Sequence, residues 1–394
     1  METPSDPATA RGARLQAVLC AAGFILLLAG TNATTPLLPV YRDVLGFSSL
    51  TVTLTFFIYV AALVSALFIA AHPSLARRAP AMLVAAIALS FASDLLLATG
   101  TVRGILAGRM LAGLSGGIGT GAASALVVAA IGVRGRALSA TGNLAGAILG
   151  TTVSEIVLQA TGVRATALCF QFHAVACALL AIPLVALLLA RRAENRRLIG
   201  GDSAPGAPVR PVLRRQHAVL MTGSLAWIAI SAAIVFLPTY FSDHNLPLVQ
   251  ALGIPVLLSS SLIAQLATPW LARRMPWVSG MGPLALGVAS ILVAARFGAI
   301  STGVAGFALV GAGAGLAYRT ALLRLTRGAS PATQGRLASL YAAITYSVAA
   351  AVVLSCGALA QAGDPSLVIM WILLISGLLA LAAIPVAPRI GPAD

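Results

Sequence analysis

Long apolar segments follow one another along almost the whole of this 394-residue chain, with few charged residues between them. Charged residues make up 9% of the sequence and hydrophobic residues 59%, whereas a water-soluble domain needs about 25% charged residues to cover its surface. The mean hydropathy is +0.98. These values exclude a soluble enzyme, a nucleic-acid-binding protein and a disordered chain. They indicate an integral membrane protein embedded in a lipid bilayer.

Twelve of the apolar segments are long enough to cross a bilayer, which takes about 20 residues of helix. Clusters of Arg, Pro, Gly and Asp separate them, and none has the alternating pattern of a strand. We therefore predict an all-α membrane protein with twelve transmembrane helices. The predicted spans are 17–40, 50–71, 80–99, 104–131, 138–160, 166–190, 218–241, 247–271, 278–298, 300–323, 337–361 and 366–387.

The arginines set the orientation, because short cytoplasmic loops collect basic residues. All 25 basic residues are arginines, and an N-terminus inside the cell leaves nineteen of them in the cytoplasm. Both termini are therefore predicted to be cytoplasmic. A composition with arginine and no lysine is typical of a high-GC bacterial genome, so we expect the bacterial cytoplasmic (inner) membrane. The remaining arginines lie outside (Arg42, Arg103, Arg164, Arg296) or within spans (Arg109, Arg319).

One loop differs from the others, since residues 191–217 combine seven arginines with three prolines and three glycines. This composition predicts a solvated linker. It divides the chain into two six-helix bundles. The predicted regions are a cytoplasmic tail (1–16), an N-terminal bundle (17–190), the cytoplasmic linker (191–217), a C-terminal bundle (218–387) and a second cytoplasmic tail (388–394).

The two halves share sequence features. The segment Pro73–Pro80 matches Pro269–Pro276 at an offset of 196 residues, and Gly135–Ser139 matches Gly335–Ser339 at an offset of 200. Spans four and ten also share a cluster of glycines. Two parallel repeats are predicted on this basis, with a substrate path between them.

Two helical motifs point to a known family. The segment 105–117 carries Arg109 ahead of a glycine face, and the segment 142–151 carries Gly142, Gly146 and Gly150, with Ala147 where a proline is expected. They resemble the helix-four motif and the helix-five antiporter motif of the major facilitator superfamily. The resemblance covers essentially the whole chain. It implies a secondary active transporter that works by alternating access, has no enzymatic activity or cofactor and acts as a monomer.

The resemblance also assigns the loops that follow spans two and eight to a cytoplasmic gate. In the first loop, Pro73 replaces the usual aspartate, so the loop ion pairs of the family are expected to be changed here. The gate residues implied by the resemblance are Arg77, Arg78, Arg273 and Arg274.

Ionisable residues within spans are costly in a bilayer and are therefore candidates for function. Asp94, Arg109, Glu155 and His173 lie at similar depths below the outer boundary of their spans. A carboxylate that an arginine approaches or leaves changes its proton affinity. We therefore predict proton coupling at Glu155, Arg109 and Asp94. The alternative is a structural ion pair in which Asp94 or Glu155 neutralises Arg109.

Helical periodicity separates two faces of span five. Gly142, Gly146 and Gly150 form a stripe that is expected to pack on a neighbouring helix. Glu155 lies on a different face, and the polar residues there are expected to line a cavity for the small-molecule substrate. Together with polar residues of other spans, the predicted cavity set is Asn32, Thr35, Thr120, Thr151, Gln159, His173, Trp227, Tyr341 and Tyr346.

Three interpretations of function follow. Proton-coupled efflux of a drug or metabolite is favoured by the glycine pattern of span five. Proton-coupled uptake of a sugar, organic acid or other metabolite is the alternative, since coupling residues do not encode direction. A distant third is an intramembrane serine protease, in which Ser115 is the nucleophile and His173 the base.

Other energy sources and sites are not indicated by the sequence. A chain without lysine has no nucleotide-binding loop of the usual kind, so an ion gradient is the expected energy source. The cysteines have no C-x-x-C spacing, and neither a disulfide framework nor a metal site is predicted.

Overall fold

The computed structural model of the chain describes residues 7–47, 49–200, 209–237, 240–241, 244–362 and 364–391. Within these ranges the structure contains helices and one isolated β-bridge, between Ser279 and Arg389, and no strand. The chain forms two compact units. The first unit is Met1–Val209 with Thr326–Ala343, and the second is Arg210–Leu325 with Ile344–Asp394.

The α-helices are numbered here in chain order. The first ten are α1 (Pro7–Ala33), α2 (Leu38–Asp43), α3 (Ser49–Ala70), α4 (Pro73–Ala76), α5 (Ala79–Leu97), α6 (Val102–Ile131), α7 (Val133–Thr161), α8 (Ala165–Ala190), α9 (Arg192–Gly200) and α10 (Val209–Arg215). They are followed by α11 (His217–Val235), α12 (Pro247–Arg274), α13 (Met281–Phe297), α14 (Ile300–Leu325), α15 (Pro331–Ala362) and α16 (Pro365–Ala383). Short 3-10 helices occupy Thr35–Leu37 and Gly162–Arg164.

Nine helical segments within the described residues are long and apolar enough to cross a membrane. One of them, Arg134–Ala190, has 57 residues and contains both α7 and α8. Two further apolar helices, Leu54–Ala70 and Met281–Phe297, are shorter. The all-helical class is therefore confirmed, and the count of twelve spans stays a prediction.

Glycines hold the helices of the first unit close together. A Cβ on Gly117 of α6 would lie 2.6 Å from Ala66 Cβ and 2.7 Å from Leu63 O of α3. A Cβ on Gly146 of α7 would lie 2.6 Å from Leu28 Cβ of α1. Small residues let backbones approach where the surrounding lipid provides no hydrophobic drive for association. The glycine faces of α6 and α7 therefore contact α3 and α1 respectively.

The predicted linker is helical over much of its described length, at Arg192–Gly200 and Val209–Arg215. Residues 201–208 of the linker lie outside the described residues. Asn195 of α9 is 1% exposed, and its Oδ1 accepts a hydrogen bond of 2.8 Å from Nε2 of Gln16 in α1. This buried amide pair joins α9 to α1.

Residues 326–343 belong to the first unit, although the repeat assigns them to the second bundle. Arg336 of α15 donates from Nε to Ala71 O at 3.0 Å, and Gln334 donates from Nε2 to Ser124 Oγ at 3.4 Å. A Cβ on Gly335 would lie 2.6 Å from Gly121 O of α6. The first part of α15 therefore packs tightly against α6.

The second unit repeats the use of glycines. A Cβ on Gly311 of α14 would meet the backbone of Leu257 in α12, and one on Gly315 would lie 2.5 Å from Ser261 O of the same helix. On another side of α14, a Cβ on Gly313 would lie 2.6 Å from Gly280 O. The glycine clusters that spans four and ten share in sequence thus have the same packing role in each unit.

Candidate functional site

Asp94 and His173 form a buried pair in the first unit. The Asp94 side chain, on α5, is 2% exposed, and its Oδ2 lies 2.7 Å from Nδ1 of His173 on α8. The other ring nitrogen of His173, Nε2, lies 2.8 Å from Leu26 O of α1. Three helices that are distant in sequence therefore meet at one imidazole ring.

This geometry fixes the number of protons that the pair holds. A backbone carbonyl only accepts, so Nε2 carries a hydrogen and donates it to Leu26 O. Nδ1 and Oδ2 then share one further proton, either as imidazolium and carboxylate or as neutral imidazole and carboxyl. Removing that proton leaves a carboxylate facing a lone pair of the ring, with a net negative charge in apolar surroundings. Release of a proton therefore requires the ring to lose one of its two contacts, either that of Nδ1 with Asp94 or that of Nε2 with Leu26 O.

Cys177 lies one helical turn beyond His173, and its Sγ is 3.8 Å from Nδ1. The donor atoms of Asp94, His173 and Cys177 all lie within 4.8 Å of one another. The 2.7 Å contact between Nδ1 and Oδ2 is that of a direct hydrogen bond.

Gly30 of α1 makes room for the His173 ring, and this predicts the effect of enlarging it. A Cβ at Gly30 would overlap Cε1 of the ring and lie 2.8 Å from each ring nitrogen. We expect Gly30→Ala to lower the free energy of unfolding by about 1–3 kcal/mol, since overpacking forces the ring from its two hydrogen bonds. Thermal unfolding of the purified variant checks this. Gly282→Ala is the control, because Gly282 has open space around it, and an equal loss in both variants contradicts the prediction.

Arg109 of α6 is 5% exposed and binds neutral groups. Its Nη1 donates to Thr31 O at 2.7 Å and to Thr34 Oγ1 at 3.3 Å, and its Nε donates to Thr55 O at 3.3 Å. Its Cζ lies 4.2 Å from the centre of the Tyr59 ring. The alternative in which Asp94 neutralises Arg109 is wrong, because Asp94 pairs with His173.

Glu155 is exposed on α7 and accepts a 3.0 Å hydrogen bond from Nε2 of Gln159, one turn further along. The described residues give it no ion pair with Arg109. The four ionisable residues predicted to share one layer therefore form three separate arrangements, which are the Asp94 and His173 pair, Arg109 with its neutral partners, and Glu155 with Gln159.

The predicted polar cavity residues of the first unit mostly bond to their own helices. Asn32 donates to Leu28 O at 2.8 Å, Thr120 to Gly116 O at 2.7 Å and Thr151 to Ala147 O at 2.9 Å. Thr35 is exposed at the start of a 3-10 helix. Tyr341 is fully buried, so it does not line an open surface.

Trp227 and Tyr346 lie together in the second unit, with ring centres 4.3 Å apart. Tyr318 of α14 adds a third ring, edge-on to Trp227 at 5.8 Å. The indole Nε1 of Trp227 is buried and has no hydrogen-bond partner among the described residues. Sequence reasoning selected Trp227 and Tyr346 but missed Tyr318, which α14 brings to the same cluster.

The arginines assigned to the cytoplasmic gate are exposed at Arg77, Arg78, Arg273 and Arg274. Arg274 lies over the Trp270 ring, with Cζ 5.5 Å from its centre. Arg336 was not predicted as a site residue, although it forms a buried hydrogen bond to the loop after α3. The sequence feature that could have identified Arg336 is the repeat, because Gly335–Ser339 matches Gly135–Ser139.

Ser115 and His173 do not form a nucleophile and base. Ser115 is fully buried, and its Oγ has no hydrogen-bond partner among the described residues. Both ring nitrogens of His173 are already engaged, by Asp94 and Leu26. The serine protease interpretation is therefore wrong.

The apolar helices, the glycine packing and the buried ionisable groups define an integral, multi-pass membrane protein. Comparison with known proteins gives its family. The model of the Major Facilitator Superfamily matches residues 19–354, and the chain belongs to that superfamily. It is therefore a transporter and not an enzyme. No curated protein matches the chain.

Solved structures share the fold over nearly the full length. A bacterial homologue of the iron transporter ferroportin, in its outward-facing state, is 17% identical with a TM-score of 0.66, and the match covers 94% of this chain and 98% of that one. The fucose:proton symporter of E. coli is 13% identical with a TM-score of 0.66, over 95% of this chain and 99% of that one. At these identities the likeness concerns the fold alone.

Proposed function

We propose that the protein is a proton-coupled exporter of a small organic compound in the cytoplasmic membrane of a bacterium. It works as a monomer with twelve spans and both termini in the cytoplasm. The apolar helices support this count. Among the described residues, nine segments are long enough to cross the membrane, one of them (Arg134–Ala190) spans two helices, and two further apolar helices are shorter, which together gives twelve. The concentration of arginines in the loops assigned to the cytoplasm supports the orientation.

The observation that carries the proposal is the buried pair of Asp94 and His173. It holds one proton between Oδ2 and Nδ1, 2.7 Å apart, and joins α1, α5 and α8. A proton that leaves only when one of these two contacts breaks makes the packing of three helices depend on protonation. Secondary transport needs such a dependence, because the ion must favour one conformation over another.

Export is the preferred direction because of helix α7. Its glycines Gly142, Gly146 and Gly150 follow the pattern of the antiporter motif and pack on α1, which also carries the Leu26 carbonyl that holds His173. Proton-coupled uptake is the second candidate. It is supported by the likeness of fold to a protein described as a fucose:proton symporter.

Proton movement in liposomes tests the proposal. Full-length protein is reconstituted around the pH dye pyranine, a proton gradient is imposed, and lipophilic drugs and polar metabolites are added, including tetraphenylphosphonium, benzoate and L-fucose. We expect at least one compound to dissipate the gradient in protein-containing liposomes only. Movement of that compound in the direction opposite to the protons supports export. Movement of the compound in the same direction as the protons supports uptake. Compound movement without proton movement contradicts proton coupling.

Glu155→Gln distinguishes the two acidic candidates in the same assay. We expect the variant to move protons at a rate within about twofold of the wild type, because Glu155 is exposed and its hydrogen bond to Gln159 can be replaced by an amide. The initial rate of pyranine fluorescence change is the measurement. Loss of proton movement in this variant assigns coupling to Glu155 instead of to the Asp94 and His173 pair.

A further inference from the structure

Arg109 has a hydrogen-bonding capacity that the protein does not use. A guanidinium group has five N–H donors in a fixed plane. Three hydrogen bonds engage Nε and Nη1, with Thr55 O, Thr31 O and Thr34 Oγ1 as acceptors. Nη2 has no hydrogen-bond partner among the described residues. The residue is nevertheless 95% buried, so this nitrogen belongs to a fixed side chain inside the bundle.

The charge of Arg109 is also without an acidic partner among the described residues. Their ion pairs are Arg42 with Asp43, His173 with Asp94, and Arg191 with Glu194. The acceptors around Arg109 are two carbonyls and a hydroxyl, and the face of Tyr59 covers its Cζ at 4.2 Å. These groups hold the guanidinium in position and leave a full positive charge in the spans, where uncompensated charge is costly.

An unused cationic donor of this kind is complementary to an oxygen atom of an anion. Arginine is well suited to such groups because its donors are planar and permanently charged.

We propose that Arg109 binds an oxyanion of the transported substrate through Nη2, so that the substrate is an organic anion carrying a carboxylate, sulfonate or phosphate. The inference rests on the proposed transport function and adds the class of substrate. Thr31, Thr34 and Thr55 act as positioning residues, since they orient the guanidinium by its other nitrogens. The attraction between the guanidinium and the anion is strong because the interior of the bundle has a lower dielectric constant than water and screens the two charges less.

Ligand-induced thermal stabilisation of the full-length protein tests the proposal. Unfolding is followed with a thiol-reactive dye, since Cys20, Cys169 and Cys177 are buried in the fold. Each probe contains one benzene ring, and the probes differ in the polar group and its charge. Three are anions (benzoate, p-toluenesulfonate, phenyl phosphate), and the neutral and cationic controls are benzamide and benzylammonium. We expect at least one anion to raise the melting temperature of the wild type, and neither control probe to do so.

Two arginine variants of α6 assign the effect to a residue. Arg103→Gln removes the same charge at an exposed position and is expected to keep the stabilisation by the anion. Arg109→Gln is expected to lose it. If Arg109→Gln does not fold, Arg109→Lys is used, and its apparent dissociation constant for the anion is expected to rise by about tenfold or more, because a lysine does not present the same fork.

Several outcomes overturn the proposal. They are the absence of an anion-specific shift in the wild type, equal stabilisation of Arg109→Gln, and an unchanged dissociation constant in Arg109→Lys. The assay contains no ion gradient. If no anion binds, this inference fails, and proton coupling is still decided by the liposome experiment. If anions bind but no protons move, the proposed proton coupling fails and this inference stands.

Discussion

Replacing Asp94 by asparagine is expected to abolish proton-driven transport while substrate exchange continues. In the variant, the amide nitrogen donates to Nδ1 of a neutral His173, whose Nε2 still donates to Leu26 O. The hydrogen bonds of the protonated pair are therefore reproduced by a group that cannot release a proton. The three helices that meet at the ring keep their packing, so the variant is expected to fold.

The two activities are separated by two measurements on the same liposomes. Accumulation of a transported compound driven by a proton gradient is expected to fall to the level of protein-free liposomes. Exchange of labelled for unlabelled compound, with no gradient, is expected to stay within about twofold of the wild type, because exchange does not require the proton to leave. The compound is whichever one moves protons in the wild type.

Asp43→Asn is the matched control. It makes the same chemical change at an exposed carboxylate that pairs with Arg42 at the surface, where ion pairs contribute little to stability. Both activities are expected to stay at the wild-type level. Proton-driven accumulation that persists in Asp94→Asn removes Asp94 from the coupling mechanism. Loss of both activities shows that the pair is required for the fold or for the conformational change itself.

The sequence predicted the helices and their small-residue faces because both depend on local properties. Apolar length sets where a span lies, and the helical period sets which residues share a face. The glycine stripe of α7 was therefore found from spacing alone, whereas the glycine face of α6 came from the family resemblance. The partner helices of the two faces, α1 and α3, were not predicted, since spacing within one helix carries no information about its neighbours.

The pairing of the ionisable residues was the main error, and its cause is geometric. Asp94, Arg109, Glu155 and His173 were placed at similar depth, and depth does not fix the angle around each helix axis relative to the others. Asp94 and His173 are 79 residues apart and meet because α5 and α8 pack together. Arg109 points towards α1 and α3 instead. The carbonyls of Leu26 and Thr31, which anchor His173 and Arg109, have no signature in the sequence.

Helix α1 connects both candidate sites, which gives its contact with α7 a large expected effect. A Cβ on Gly150 would meet Ala29 O and lie 2.7 Å from the Ala29 carbonyl carbon and 2.8 Å from its Cα. These are backbone atoms, which cannot rotate away as a side chain does. Gly150→Ala therefore requires α1 and α7 to separate. We expect the free energy of unfolding to fall by about 3 kcal/mol, the upper end of the range for overpacked cores.

Gly357→Ala is the matched control, since Gly357 lies in helix α15 with open space where its Cβ would be. Alanine is the better helix former, so this variant is expected to keep the free energy of unfolding or raise it by up to about 1 kcal/mol. Its melting temperature is therefore expected to equal or exceed that of the wild type. Thermal unfolding of the two purified variants gives the comparison. Equal melting temperatures contradict the close approach of α1 and α7.

The same Gly150→Ala variant is expected to impair both sites, which a purely local loss of stability does not do. Leu26 O and Thr31 O lie on the α1 segment that flanks Ala29, so separating α1 from α7 moves the acceptors of His173 and Arg109 together. Proton movement and anion stabilisation, measured at a temperature where the variant is folded, should therefore both decline. A decline in one alone shows that α1 does not link the two sites.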